Sequence, residues 1–499
     1  MNRQIQRMGV LALVLIVALI AGTTYWQTWA AGSLADKQDN AIQRVAQFKI
    51  KRGLIFAGDG KTVLAGDRPK KVGGNTFWFR TYPAGELAGH AVGYATAEQS
   101  RTGIERSYND YLTASNGNLN TAFRTTLDKL KGVTVKGNNV VTTIDVKAQQ
   151  VAQSALRNEC GAVVALDPRT GAILAMASSP PLDLQKVVRK FSSAGKAPGY
   201  PCGPTALINR ATQGLYPPGS TFKVVTTTAA LDTGAFRPDS TFHDPGYCEE
   251  YGKKISNAGN PEAPETFGRL TLAQGLEHSV NSVYCNIGKQ LGAGPILDYA
   301  KRFGFYAKPP TGLPPSEIYP SGLYDFTKTG RKLFDPKHPA TQVDPGRLAF
   351  GQERMLVTPL QMALVAAMVA NGGVAMQPYV VKKVTSPSGS TVTTTKPQVY
   401  RKVMKPQTAA EINQMMQLVT KGGTAASAFS GFSIPVAGKT GTAETGVNNV
   451  YIPWFICFAP ADHPRVAVAV VVENKAGGFG GGVAAPIARQ MLQAILGAH

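Results

Sequence analysis

Two apolar segments near opposite ends of the chain constrain its architecture most. Gly161–Ala177, GAVVALDPRTGAILAMA, is two apolar runs around an Asp-Pro/Gly turn, which predicts a β-hairpin. Val466–Val472 is an unbroken apolar run opened by Pro464-Arg465, long enough for a strand in a sheet core. Val483–Leu496 then reads as a helix. Strands at both ends, with many helical segments between, predict an antiparallel sheet covered by helices. The fold class expected is α+β, with this domain spanning 151–499.

The N-terminus carries an address. No charged residue occurs between Arg7 and Asp36, and Met8–Gly22 is almost wholly apolar. A run of about 20 residues crosses a bilayer. Tyr25, Trp26 and Trp29 would lie at the far interface, while Arg3 and Arg7 hold residues 1–7 in the cytoplasm. We expect an uncleaved single-pass anchor over 8–30, with the rest of the chain outside the cell membrane. The alternative is a cleaved signal peptide, for which Thr28-Trp29-Ala30 makes a poor cleavage site. Leu34–Phe48 reads as a polar helix or stalk. A small mixed module of short strands and Gly turns occupies the remainder of 31–150, with little that resembles a catalytic site.

The formal charge of +21 asks for a partner. Lys and Arg are dispersed, as in Arg68-Pro69-Lys70-Lys71 and Arg331-Lys332, with no long block and no basic helix bearing aromatics. That argues against nucleic acid. Attraction to anionic lipid or cell-wall polymer fits, as does a solvated basic surface without a specific partner. Cys160, Cys202, Cys248, Cys285 and Cys457 show no Cys-x-x-Cys spacing, so no metal site is expected. In an exported domain one or two disulfides would leave one Cys over. Cys202 and Cys248, which flank the helix after Ser220, are the expected pair.

Three short motifs carry the chemistry. Tyr216-Pro-Pro-Gly-Ser-Thr-Phe-Lys223 places Ser220 at the start of a predicted helix that runs to Asp232, with Lys223 one turn on and on the same face. Free N–H groups at a helix start favour an alkoxide and an oxyanion. A buried amine beside another cation loses proton affinity and can act as the base. Taken alone, Ser220 reads equally well as an ordinary N-cap serine. Ser279-Val280-Asn281 lies within the helically spaced stretch Leu276–Leu291, where residues i and i+2 share a cleft only at a bend or helix end. Its bland reading is a polar helix start. Lys439-Thr440-Gly441-Thr442 precedes the strand-like Tyr451–Ala459. A Gly on an edge strand admits an extended peptide, Lys439 supplies positive potential, and the Thr hydroxyls suit a carboxylate. The bland reading is a Lys in a Gly-punctuated turn.

Pattern alone decides nothing, because the chain holds decoys. Ser193-Ala-Gly-Lys196, Ser107-Tyr-Asn109 and Lys328-Thr-Gly330 repeat all three patterns in loop-like or upstream contexts. His278 adjoins Ser279 but diverges from it on a helix, which suits a structural or rim role rather than a Ser–His pair. Gly477–Gly482 lacks the phosphate-loop pattern and reads as a loop at the rim of the site.

With its motifs in this order, the chain resembles the class B penicillin-binding proteins, which are membrane-anchored D,D-transpeptidases that cross-link peptidoglycan. The resemblance extends to Arg52-Gly53, Asp59-Gly60, Gly103-Ile104-Glu105 and Tyr108-Asn109 in the N-terminal module. It also includes Phe350-Gly351-Gln352, Val357–Met362 and Ala370–Gly373 in the C-terminal domain. The resemblance implies Ser220 as acylated nucleophile, Lys223 as base, Ser279 as proton shuttle and Asn281 as substrate support. Lys439, Thr440, Gly441 and Thr442 would recognise the terminal D-Ala carboxylate, and the N–H groups of Ser220 and Thr442 would form the oxyanion hole. It implies stem peptides ending in D-Ala-D-Ala as substrate, β-lactams as covalent inhibitors, and neither cofactor nor metal. Too little chain lies between anchor and hairpin for a polymerising enzyme, so a membrane glycosyltransferase of the division or elongation machinery is the expected partner. A homodimer through the N-terminal module stays open. A D,D-carboxypeptidase or β-lactamase, a β-lactam sensor, or a scaffold with a vestigial site are the alternatives.

Overall fold

The computed structural model describes residues 2–28, 48–96, 101–115, 119–131, 134–202, 206–260, 263–328 and 330–497. The first element, α1 (Asn2–Thr28), is a helix long and apolar enough to cross a membrane, and none of it is buried within the protein. The polar stalk expected over Leu34–Phe48 lies outside the described residues except for Phe48.

Strands β1 (Ile55–Phe56), β2 (Val63–Val72), β3 (Asn75–Thr81) and β4 (Asn139–Thr142) begin a six-stranded sheet. Two more strands complete it from far along the chain, Val381–Thr385 beside β4 and Thr391–Thr394 at the edge. The small module is thereby stitched into the chain that follows it. Its signature residues converge on one buried carboxylate. Glu105 takes Arg52 at 2.8 Å and also pairs with Arg80, which reaches Asp67 at 3.0 Å. Burial alone would raise Glu105, and the two guanidiniums outweigh it and hold the carboxyl below its usual range.

The larger domain is built on a six-stranded antiparallel sheet, five strands in a row and a short sixth, Lys475–Ala476, paired beside the row. After α2 (Val146–Ala155) come β5 (Gly161–Leu166) and β6 (Ile173–Ser179), the expected hairpin. The helices of the intervening layer follow: α3 (Lys223–Asp232), α4 (Leu272–Glu277), α5 (Asn281–Leu291), α6 (Pro359–Ala370) and α7 (Pro406–Lys421). The chain then returns through β7 (Ala437–Glu444), β8 (Val450–Ala459) and β9 (Val466–Val472) to α8 (Ala485–Leu496). Strand order is β7-β8-β9-β5-β6, so the first-read hairpin and the late apolar strand meet at the centre. Helices α2 and α8 pack together on one face, and α6 crosses the other beside α7. Every residue of β9 is buried, which is why its sequence shows no polar alternation. Strand β7 is left as an edge. Every residue of α3 is buried, so it runs through the middle of the helical layer rather than along a surface.

The disulfides differ from the expected pair. Cys202 bonds Cys160 and Cys248 bonds Cys285, with Cα separations of 6.1 and 6.2 Å, and Cys457 is buried and free. Flanking a helix in sequence does not bring two Cα atoms to bonding distance. Cys248 instead lies on a hairpin strand, Tyr247–Glu250, packed against α5, where Cys285 is one turn beyond Asn281. Replacing Cys248 and Cys285 together by Ser is expected to lower unfolding stability by roughly 2–4 kcal/mol. Urea denaturation under non-reducing conditions measures this, and an unchanged midpoint would show that the bridge adds nothing.

Candidate active site

Ser220 lies in a 3-10 turn, Gly219–Phe222, that runs straight into α3, whose first residue is Lys223. The α-helix therefore starts one turn later than the sequence suggested. Thr221 explains the tightening, since its Oγ1 donates to Pro218 O at 2.7 Å and its N–H reaches the same oxygen at 3.4 Å. The turn is pinned from both sides. Tyr216 exchanges backbone bonds with Val357 at 3.0 and 2.8 Å, and Pro217 O accepts Trp454 Nε1 at 3.0 Å. Gly219 has φ +50°, and a Cβ there would stand 3.0 Å from Thr442 O. Glycine suits both demands.

The second motif solves its spacing problem by breaking the helix. A capping box starts α4: Gln274 N donates to Thr271 Oγ1 at 3.2 Å, and Thr271 N donates to Gln274 Oε1 at 2.8 Å. Helix α4 ends at Glu277, α5 begins at Asn281, and Ser279 bridges them at φ +61°. A left-handed non-glycine residue stores strain of order 1–3 kcal/mol, which the surrounding bonds must hold. Here the strain turns both Ser279 and Asn281 toward α3. Lys223 Nζ donates to Ser279 O at 2.6 Å and to Asn281 Oδ1 at 2.8 Å. Asn281 Nδ2 is fixed by Ser256 O at 3.1 Å.

The third motif lies on β7, the edge strand. Lys439 is fully buried, and its Nζ donates to Ser279 Oγ at 2.7 Å and Thr440 O at 3.0 Å. The Ser279 hydroxyl thus sits between two amines, with Lys223 Nζ on its other side at 3.4 Å. Thr440 Oγ1 pairs with Thr424 Oγ1 at 2.6 Å, and Thr442 Oγ1 accepts Gly480 N at 3.3 Å. A Cβ on Gly441 would come within 2.9 Å of Pro218 O, so the bare backbone lets the strand lie against the serine turn. Ser220, Lys223, Ser279, Asn281, Lys439, Thr440, Gly441 and Thr442 form one constellation.

The decoys lie elsewhere. Ser193 is on the short helix Phe191–Ala194, bonded to its own Lys190 O at 2.8 Å. Lys328 is on an exposed hairpin between Gly322–Thr327 and Gly330–Leu333. Asn109 accepts Arg52 in the N-terminal module at 3.0 Å. His278 stacks on Phe267, with centroids 5.0 Å apart. Sequence reasoning missed the support behind α5. Buried Asp244 accepts Ser282 Oγ at 2.5 Å and both oxygens accept Asn257 Nδ2 at 2.9 Å, while Ser282 N donates to Asn257 Oδ1 at 3.0 Å. Asp244 and Asn257 belong to no recurring pattern, so nothing in the sequence marks them.

Among the described residues no carboxylate pairs with Lys223 or Lys439. Burial, reinforced by the nearby Lys439, pushes Lys223 well below the ordinary lysine value, and burial takes Lys439 down to about 7. Lys223 is thus held toward the neutral amine, Lys439 is poised to gain or lose its proton near neutral pH, and the two share one serine hydroxyl.

The chain belongs to the penicillin-binding protein transpeptidase family. A family model described as the penicillin binding protein transpeptidase domain matches residues 161–493, and one described as the penicillin binding protein A dimerisation domain matches 52–140. Within the family, the short N-terminal module and compact length are most like penicillin-binding protein A of actinobacteria, and relatives agree. The chain is 33% identical to the peptidoglycan D,D-transpeptidase PbpA of Mycolicibacterium smegmatis over 99% of both chains. It is 28% identical to the peptidoglycan D,D-transpeptidase MrdA of Escherichia coli K12, over 84% of this chain and 71% of that one. The ceftriaxone acyl-enzyme complex of penicillin-binding protein A from Mycobacterium tuberculosis aligns with TM-score 0.78 at 32% identity, covering 91% of this chain and all of that one.

The depressed lysines make stability depend on pH. Each is charged when unfolded up to its ordinary value of 10.5 and largely neutral when folded, so the unfolded chain binds more protons. Their effect is that stability rises with pH, for Lys439 from about 7 toward 10.5, and falls again as pH drops. The slope is about 1.4 kcal/mol per pH unit for each proton. Urea midpoints at pH 7 and pH 9 should show this rise, and Lys439→Met should flatten it; equal slopes in both proteins would contradict the assignment.

Proposed function

We propose that this peptidoglycan D,D-transpeptidase forms its acyl-enzyme on Ser220. The observation that carries the proposal is the buried Lys223 amine, one turn from Ser220 and without an acidic partner. A neutral amine has two N–H bonds, and these suit Ser279 O and Asn281 Oδ1. Its lone pair is then free for the Ser220 proton. Ser220 attacks the penultimate D-Ala carbonyl, and the backbone N–H groups of Ser220 and Thr442 take the oxyanion. The proton returns through Ser279, which Lys223 and Lys439 flank, to the departing D-Ala amine. Lys439, Thr440 and Thr442 hold the terminal carboxylate, whose charge draws the Lys439 proton equilibrium back toward ammonium. A neighbouring stem-peptide amine then resolves the ester.

β-Lactams imitate the donor and acylate the same serine, as the acyl-enzyme complexes of the M. tuberculosis relative support. Helix α1 serves as an uncleaved membrane anchor with residues 1–7 cytoplasmic, and the site faces outward. Residues 31–150 form the pedestal module and 151–499 the transpeptidase domain. A membrane glycosyltransferase of the division or elongation machinery supplies glycan strands, and the module matched at 52–140 supports a homodimer.

Fluorescent penicillin should label the protein covalently, with labelling lost in Ser220→Ala and retained in Ser193→Ala. Incubation with donor and acceptor stem peptides should release D-Ala and yield a cross-linked product detectable by mass spectrometry. Release of D-Ala with only hydrolysed donor would instead identify a carboxypeptidase.

A further inference from the structure

Behind the serine turn lies a polar cluster that the proposed chemistry does not use. Glu473 follows the last residue of β9, and its N–H donates to Cys160 O at 2.7 Å. Its Oε1 accepts Arg210 Nε at 2.8 Å and Tyr216 Oη at 2.5 Å. The Arg210 and Glu473 side chains are 5% and 15% exposed, so the pair is shielded from solvent screening. Burial, and then the Glu473 charge, raises the Tyr216 phenol well above its ordinary value, so the hydroxyl stays a donor at every working pH.

Tyr216 opens the segment that carries the nucleophile, and each of its parts is held. The backbone exchanges bonds with Val357, and the ring meets Trp454 edge-on at 6.0 Å. The site where Gly214 would carry a Cβ is 2.5 Å from the ring, so no other residue fits there without moving it. Among the described residues the hydroxyl bonds only to Glu473. From Tyr216 the chain runs through two prolines, Pro217 and Pro218, with few soft dihedrals to absorb a rotation before Gly219 and Ser220. On its other side Glu473 leads through Lys475-Ala476, which pairs with β8, to Gly480, whose N–H meets Thr442 Oγ1. One carboxylate therefore ties the serine turn to the wall of the carboxylate subsite.

We propose that Glu473 is a positioning residue for acylation, acting through the Tyr216 hydroxyl to fix the orientation of the Ser220 turn. The inference rests on Ser220 as nucleophile, and its test separates the two. In the full-length protein, stopped-flow acylation by fluorescent penicillin gives the non-covalent affinity and the acylation rate constant separately. Tyr216→Phe removes one oxygen and no volume, so it is chosen to preserve the fold. Its acylation rate constant should fall on the order of tenfold to a hundredfold, the scale of a small misplacement of a reacting group, with non-covalent affinity unchanged. Glu473→Ala should lose a similar factor, and the double variant no more than either alone, because both act through one bond. Glu473→Gln, which keeps an oxygen for Tyr216, should recover most of the rate. A purely structural role would lower the melting temperature and leave the rate constant of folded protein intact. That result, parental acylation by Tyr216→Phe, or additive losses in the double variant would overturn the proposal. Labelling that persists in Ser220→Ala would instead overturn the nucleophile assignment.

Discussion

Two buried amines without an acidic counter-charge are the constraint around which this molecule is arranged. Taking a charged ammonium out of water costs several kcal/mol unless it is paired. Neither Lys223 nor Lys439 has such a partner among the described residues, and burial shifts both toward the neutral amine. What remains is a pair of hydrogen-bonding amines centred on the Ser279 hydroxyl. A histidine-based site keeps its imidazole oriented with a carboxylate. Here Asn281 and a backbone carbonyl orient the Lys223 amine without contributing a charge.

That arrangement needs three rigid supports, and the fold provides each by a different device. The serine turn is held by two prolines, a backbone bridge to Val357 and the indole of Trp454. The second motif is held in a left-handed kink between two helices, backed by the Asp244–Asn257–Ser282 cluster and the Cys248–Cys285 bridge. The third is an edge strand, packed against the serine turn and α7, and an edge strand can pair with an extended peptide. Strand addition at β7 would place a substrate backbone beside Ser220.

Much of this was legible in sequence, for identifiable reasons. The buried strands announce themselves by unbroken apolar runs, and the Gly161 hairpin and Val466–Val472 appear where their sequences place them. The eight proposed site residues stand out in the sequence because motif order and local context agree, and the fold brings them together. Contacts that join distant segments without a repeating pattern were not. Strands Val381–Thr385 and Thr391–Thr394 join a sheet begun far upstream at Ile55–Phe56, and the disulfides follow packing rather than spacing. Asp244, Asn257 and Glu473 are ordinary polar residues until the fold buries the first two, and half-buries the third, beside a motif.

The claim that a neutral Lys223 takes the serine proton can be tested on the amine itself. Lysine side-chain carbon resonances, in protein labelled with carbon-13 lysine, report each amine's protonation as pH is raised. Two resonances should titrate well below 10.5, one of them near 7 and absent from Lys439→Met, the other absent from Lys223→Met. Every lysine titrating together near 10.5 would contradict a neutral amine base and leave Ser220 without its activating partner.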